Sequence, residues 1–527
     1  MNIGEKLKKD PWVRRVHPDM ARPRFVGGYK PASFVPGSFN FVTLTQQDFL
    51  NELAPAAHPV NSTIMSKRPI YGPTGKKDKD GKEEWAIVGY DDVEVVPLGW
   101  QEFICNNKVA HLATDGFDLA NETEKEDAFN KMMSWFDYIG LKDAYKEAVY
   151  YCERSGDSGI YIRQTGEDMI EWDVYAIEKG YTIYPQLDDN GNPMYYISYK
   201  INGRNAVDII SSAGTETWIQ YDENVKDAPD LWAWVAKVIE TADGVRSEDG
   251  YVRVKKIENQ LGGDVQFVYF RVPDVPWGPA QLTIESLENA CSYVAEEVKN
   301  SAFPILFLKS EKIQNLPPSK INGKTIGVKG ATDSLAHSDA KFLTPPDASN
   351  VATLHLKELR ENIIHTTMTA VIEPEILKQG ADSSTSIKIL FRPEIEWANL
   401  RWIYYNKPVR RLVELAKNLV KKVEGIAGSE YEGLRMSIWF EPWIPQNEAE
   451  RIKTELDQYY AGVKSAKAVM VDIGNIHLGD WDQILKEEEE RAAMKAKYTG
   501  SDQSEDGNTN PDAPGITNQA INKPKTK

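Results

Sequence analysis

Two stretches, WGPAQLTIESLENACSYVAEEVKN (residues 277–300) and LHLKELRENIIHTTMTAV (residues 354–371), decide how this chain is read. In the first, Leu287, Cys291, Val294 and Val298 recur at spacings of four, three and four, with Glu288, Glu296, Glu297 and Lys299 among them. In the second, Leu356, Leu359, Ile363 and Ala370 form a similar stripe beside Lys357, Glu358, Arg360 and Glu361. Apolar residues at that period line one face of an α-helix, so each stretch is expected to be amphipathic and helical. Between them, Ser310 to Asn350 is hydrophilic and rich in turn-forming residues. Such a pattern suits an antiparallel helix pair with an excursion at its tip, or two core helices of a compact bundle. Local pattern alone fits the bundle slightly better.

Downstream, a Ser/Gly/Thr loop (Gln379 to Ser386) opens a long helix expected from about Glu394 to Glu424. It is aromatic early (Trp397, Trp402, Tyr404, Tyr405) and basic late (Arg410, Arg411, Lys417, Lys421, Lys422). Pro408 should kink it, because proline removes a backbone donor and clashes with the carbonyl four residues back. Arg435 to Phe440 reads as a strand, and Asn447 as the N-cap of a helix from Glu448 to Ala461, with Glu450 as capping-box partner. Ser465 begins a further short helix and Ile484 to Lys497 a charged final one. Residues 499–527 are low-complexity and expected to be disordered.

Upstream, Glu124 to Tyr138 reads as a helix broken by Gly140, and Leu141, Tyr145, Ala148 and Cys152 mark one face of the next. From there to Val275 the period falls to two. Ile160 to Ile162, Thr182 to Tyr184, Tyr195 to Tyr199, Trp218 to Glu223 and Val265 to Phe270 look like strands of an antiparallel sheet, with a hairpin turn at Asp189-Asn190-Gly191-Asn192. Leu231 to Val238 is ambiguous. Tyr71 to Trp85 reads as a charged loop; it lacks the glycine spacing of a phosphate loop and the ligands of a calcium loop. Residues 1–60, rich in Pro and Gly, are expected to drape over the body or a neighbouring subunit.

With 527 residues, two to four modules are expected. No apolar run is long enough for a membrane span, and no apolar stretch follows the Lys/Arg-rich start as in a secretory signal. Cys105, Cys152 and Cys291 are too scattered for a metal or disulfide framework and read as reduced thiols. Seven histidines (17, 58, 111, 337, 355, 365, 477) show no zinc spacing, and no nucleophile elbow, dinucleotide fingerprint or kinase signature occurs. No catalytic, metal-ligating or cofactor-binding residue is assigned. A net charge of −17 argues against a simple DNA binder, whose affinity rests on Lys and Arg neutralising phosphates. The first 30 residues, however, are a basic arm.

The order of elements resembles the portal proteins of tailed double-stranded-DNA phages. LKDAYKEAVYYCERSG (141–156) and the strands after it are similar to the opening of the portal wing; residues 277–300 to the first stem helix; 354–371 to the returning stem helix; and GADSSTSIKILFRPEIEWANLR (380–401) to the tunnel loop and start of the long kinked helix. The fold class implied is α+β. A basic arm (1–60) would precede an α/β wing (61–276), and two antiparallel stem helices (277–303 and 351–373) would bear a small clip (304–350). A tunnel loop (374–393), a long kinked helix and wing strand (394–445), a short helical crown (446–498) and a tail (499–527) would follow.

The resemblance implies a non-enzymatic, homo-oligomeric ring, a dodecamer, at one capsid vertex of the virion, made in the host cytoplasm. Double-stranded DNA would pass through its channel without sequence readout, during packaging and later ejection. The clip would dock the terminase large subunit and then head–tail adaptor or neck proteins, with major capsid and scaffolding proteins outside. No cofactor and no membrane are implied. Tunnel-loop candidates are Lys378, Gln379, Gly380, Asp382, Ser383, Ser384, Ser386 and Lys388; stem candidates are Lys299, Glu296, Lys357 and Arg360; subunit-interface candidates are Val294, Val298, Leu359 and Ile363. The rival readings are another structural virion component, such as a neck or capsid-associated protein, and, given 14 Trp and 24 Tyr, a carbohydrate-active enzyme built on paired acids.

Overall fold

The computed structural model describes residues 3–7, 13–16, 42–54, 57–58, 67–77, 83–92, 95–188, 190–201, 203–220, 245–247, 249–302, 305–310, 325–329, 339–343, 349–371, 388–425, 430–444, 448–462 and 469. The N-terminal region is more than an arm. Helix α1 (Ile3–Leu7), strands β1 (Val13–Val16) and β2 (Val42–Thr45), which pair antiparallel, and helix α2 (Gln46–Leu53) all belong to it. Both the backbone N–H and the hydroxyl of Thr45 donate to Asp48 at 2.8 Å, fixing where α2 begins. Residues read as a charged loop instead fall largely in an antiparallel ribbon of β3 (Lys67–Lys77) and β4 (Glu83–Asp92). Pro69, Gly72 and Pro73 depress strand propensity, but a two-stranded ribbon tolerates them because each strand keeps an unpaired edge.

Helix α3 (Trp100–Ala113) and strand β5 (Asp118–Asn121) lead into α4 (Glu126–Tyr138) and α5 (Leu141–Ser155). Gly140 separates the last two at φ 66°, a left-handed conformation open to glycine at little cost. The period-two region makes two antiparallel sheets rather than one. Its strands are β6 (Asp157–Gln164), β7 (Ile170–Tyr175), β8 (Thr182–Leu187), β9 (Pro193–Ile201), β10 (Arg204–Ser211), β11 (Gly214–Gln220), β12 (Tyr251–Glu258) and β13 (Phe267–Arg271). They are ordered β13-β6-β7 and β12-β11-β10-β9-β8. Gly159 on β6 has no room for a side chain, since a Cβ there would lie 2.0 Å from the Phe267 ring.

The amphipathic stretches form α6 (Gln281–Ala302) and α7 (Ser349–Thr367). Between them stand β14 (Ile305–Ser310), β15 (Thr325–Lys329) and β16 (Asp339–Leu343), with β14 central, parallel to β15 and antiparallel to β16. Helix α8 (Arg392–Glu424) runs on through Pro408; β17 (Met436–Trp439) then returns to pair with β5. Helix α9 (Glu448–Tyr460) follows.

Two cores matter here. The larger gathers α3 to α5, β6, β7, β13 and α8, with Tyr145, Phe270, Leu412, Leu415 and Leu419 buried inside. The second joins Phe49 and Leu53 of α2, Ile104 and Cys105 of α3, Trp277, and the inner faces of α6 and α7. The chain divides into two compact units, residues 1–379 with 386–445, and residues 380–385 with 446–527. In the second unit, α9 and the buried Val469 are described. Leu231 to Val238, Asn447, the helices expected from Ser465 onward apart from Val469, and the tail lie outside the described residues.

Candidate functional site

Helices α6 and α7 pack on each other by the residues their periodicity nominates. Ile284 and Leu287, with Cys291 beside them, share one cluster with Leu356, Leu359 and Ile363. The start of α6 and the end of α7 meet there, as in an antiparallel pair. Trp277 seals the base: its ring lies edge-on to Phe49 at 6.3 Å, and its Nε1 donates to Glu52 Oε2 at 2.8 Å.

The acids of α6 behave differently from a solvated channel lining. Glu285, Glu288 and Glu296 are all buried. Glu288 Oε1 accepts the N–H of Leu98 at 3.1 Å and lies 3.3 Å from His58 Nε2, while Ser292 Oγ accepts the N–H of Val96 at 3.0 Å. The extended segment before α3 is thereby stitched onto α6. Burial pushes the Glu288 carboxyl up to about 8, against the opposing Leu98 hydrogen bond, and burial lowers the His58 imidazole. Burial thus favours the neutral form of both groups.

These positions revise the residue assignments. Glu296, a stem candidate, lies on α6 and is buried against its own chain. Ile363 is fully buried, so it holds α7 to α6 within one chain and has no surface to offer a neighbour, while Leu359 is partly buried and packs on the same core. The apolar stripe that nominated them reports the intrachain seam. Val294 (37% exposed) and Val298 (64%) lie on the open surface of α6. Lys357 and Glu361 form an exposed i,i+4 pair at 3.8 Å, and Arg360 is exposed beside them. The side chain of Lys299 and all of Lys378, Gln379, Gly380, Asp382, Ser383, Ser384 and Ser386 lie outside the described residues. Lys388 is described and exposed, just ahead of α8.

Helix α8 carries two features that its sequence does not announce. Arg401 points inward, where its guanidinium donates to both Glu153 carboxylate oxygens at 2.7–3.1 Å and to the carbonyl of Asp274; Tyr405 donates to Glu153 at 2.5 Å. Its opposite face leaves Leu400, Ile403 and Tyr404 exposed. A basic-aromatic helix hides both, because arginine normally marks the wet face and here marks the dry one.

Beneath the start of α8 lies a second polar knot. Lys108 and His111 of α3 converge on Glu394, whose Oε1 lies 3.9 Å from Lys108 Nζ and whose Oε2 contacts His111 Nε2. His111 Nδ1 reaches the Trp443 carbonyl at 2.5 Å. Sequence spacing gives His111 no metal-site partner and Lys108 no role, yet Gln101, Ile104, Cys105, Lys108, His111 and Leu112 form one buried stripe at helical spacing. Counting position rather than polarity would have found it. Among the described residues no cluster suited to a metal ion occurs, and no helix is long and apolar enough to cross a membrane.

The sequence profile of the family described as "Phage portal protein, SPP1 Gp6-like" matches residues 92–494. No curated protein matches the chain. Among solved structures, a chain of the "Virion of native gene transfer agent (GTA) particle" is similar at 12% identity and TM-score 0.28, over 71% of this chain and 88% of that one. A chain of the "Neck of native GTA particle computed with C12 symmetry" is similar at 12% identity and TM-score 0.29, over 71% of this chain and 90% of that one. The family match, not these distant likenesses, carries the assignment.

Proposed function

The chain belongs to the SPP1 Gp6-like phage portal family, and from that premise we propose that it assembles into a closed ring, a dodecamer, lining a DNA channel at one capsid vertex. A portal protein is a structural, non-enzymatic part of the virion. In this reading α6 and α7 form the stem and β14 to β16 the clip, which docks the terminase large subunit during packaging and adaptor or neck proteins afterwards. Major capsid and scaffolding proteins contact the ring from outside. The segment leading from α7 into α8 is the tunnel loop that touches DNA.

The observation that carries the reading is the family match across residues 92–494. The surface is in keeping with it. Val294 and Val298 on α6, and Leu400 and Ile403 on α8, are apolar and exposed in one chain, and head-to-tail contacts in a ring would cover such residues. The net charge of −17 suits a channel in which DNA slides, since each phosphate–lysine contact adds affinity and drag. Negative-stain microscopy of the purified full-length chain tests the proposal. Twelve-fold rings with a central hole are expected; a population of compact monomers at all concentrations would overturn it.

A further inference from the structure

Lys108, His111 and Glu394 are each at most 3% exposed, a density of polar, ionisable groups that a protein interior tolerates only when every group is paired. Their partners reveal what they hold. Glu394 Oε1 accepts the backbone N–H of Ala370 at 2.8 Å, and Lys108 Nζ donates to the carbonyl of Met368 at 2.5 Å. Ala370 and Met368 lie just past the end of α7, while Glu394 sits in the first turn of α8. Both chain ends that flank residues 372–387 are therefore tied to the same side of α3. Met368 adopts φ 53°, a left-handed conformation that a non-glycine residue keeps only when its surroundings over-determine it. The buried hydroxyls of Thr367 and Thr369 meet at 2.8 Å and tighten the same turn. On the far side, Trp443 N donates to the His111 carbonyl at 3.2 Å, so the knot is closed by the chain that follows α8.

We propose that Lys108, His111 and Glu394 form a positioning anchor that fixes the end of the stem helix and the start of the long helix to α3, holding the intervening segment at both feet from one point. A helix cap alone would need only Glu394 and its own helix. Here the carboxylate crosses to α7, and an ammonium on a third helix binds the neighbouring carbonyl. What the held segment touches, DNA in the tunnel-loop reading, rests on the proposed function. The anchor itself rests on the contacts.

Peptide-resolved hydrogen exchange on the full-length protein tests it, comparing wild type with Glu394→Gln and with Lys108→Met, which keep shape and remove charge. Exchange at residues 366–371 and 388–396 is expected to rise about tenfold or more, the factor that follows from losing one charge-assisted hydrogen bond. Peptides covering Val409 to Val420 should keep their protection, whereas a merely structural role would loosen α8 along its length. Unchanged exchange at the two feet, or equal acceleration throughout α8, overturns the anchor. His111→Gln, the milder change, supplies the same comparison should either variant fail to fold. Microscopy of the wild-type chain decides the ring separately: absence of rings would remove the DNA-facing role and leave the exchange result standing.

Discussion

At the level of single residues, Glu288 gives the stem a pH signature whose sign can be worked out. In the fold its carboxyl is pushed up to about 8 by burial, whereas an unfolded glutamate releases its proton near 4.5. A folded state that binds more protons than the unfolded one loses stability as pH rises, so this contribution falls between about pH 4.5 and 8 and then levels. His58, lowered by burial from its ordinary 6.5, works in the opposite direction below that value, which leaves the Glu288 effect cleanest from about pH 6.5 to 8. Lys108, lowered by burial to about 8, adds a rise in stability only above that pH. Glu288→Gln is therefore expected to flatten the decline in urea midpoint between pH 6.5 and 8 and to match or exceed wild-type stability at pH 8. An undiminished slope in the variant would show that the carboxyl is already ionised in the fold. Arg401 makes a different case. Removing it strands Glu153, which is fully buried, so Arg401→Met should cost about 3–5 kcal/mol in urea unfolding, and adding Glu153→Gln should recover much of that.

At the level of elements, the stem separates folding from assembly. Ile363→Asp buries a charge in the core shared by α2, α3, α6 and α7 and is expected to destabilise the isolated chain by about 4 kcal/mol or more. Val298→Asp changes an exposed site and should alter chain stability by no more than about 0.5 kcal/mol while reducing ring formation in sedimentation or microscopy. If Val298→Asp assembles as well as wild type, this face of α6 is not an interface. The contrast also marks what sequence could reveal. Helices α4 to α8 and the hairpin at Asn190–Asn192 were legible because their stripes and turn residues act locally: Asp188 accepts from Asn190 and Asn192, and Gly191 takes φ 82°. Which surface an apolar stripe covers is a tertiary fact: the stripe on α7 nominates Ile363 for an interface, whereas it closes the intrachain seam. Helix α3 escaped notice because Gln101, Lys108 and His111 occupy core positions that periodicity expects to be apolar. β7, β10 and β12 went unassigned too. β7 does carry the period-two signal, Ile170, Trp172 and Val174 alternating with Glu171 and Asp173, but it is only six residues long.

For the molecule as a whole, the two compact units predict independent behaviour. Deleting residues 446–527 should leave the melting temperature of the larger unit within about 3 °C of its value in the full chain, the shift that roughly 1 kcal/mol produces in a large domain. Ending the chain at Phe391 instead removes Leu412, Leu415 and Leu419 from the main core and should abolish a cooperative melt in calorimetry. A cooperative transition surviving in that fragment would refute the single large core. The pairing of β5 with β17, where Asn121 lies opposite Met436 and Asp118 opposite Trp439, carries the same logic into time. A ribosome adding about 5–20 residues per second needs some tens of seconds to travel from the first of these strands to the second. For much of that interval α5 has been made but α8, which packs with it in the main core, has not. The nascent chain thus carries an open apolar face for a large part of its synthesis, and its yield in a cell should depend on holding chaperones as well as on the stability of the finished fold.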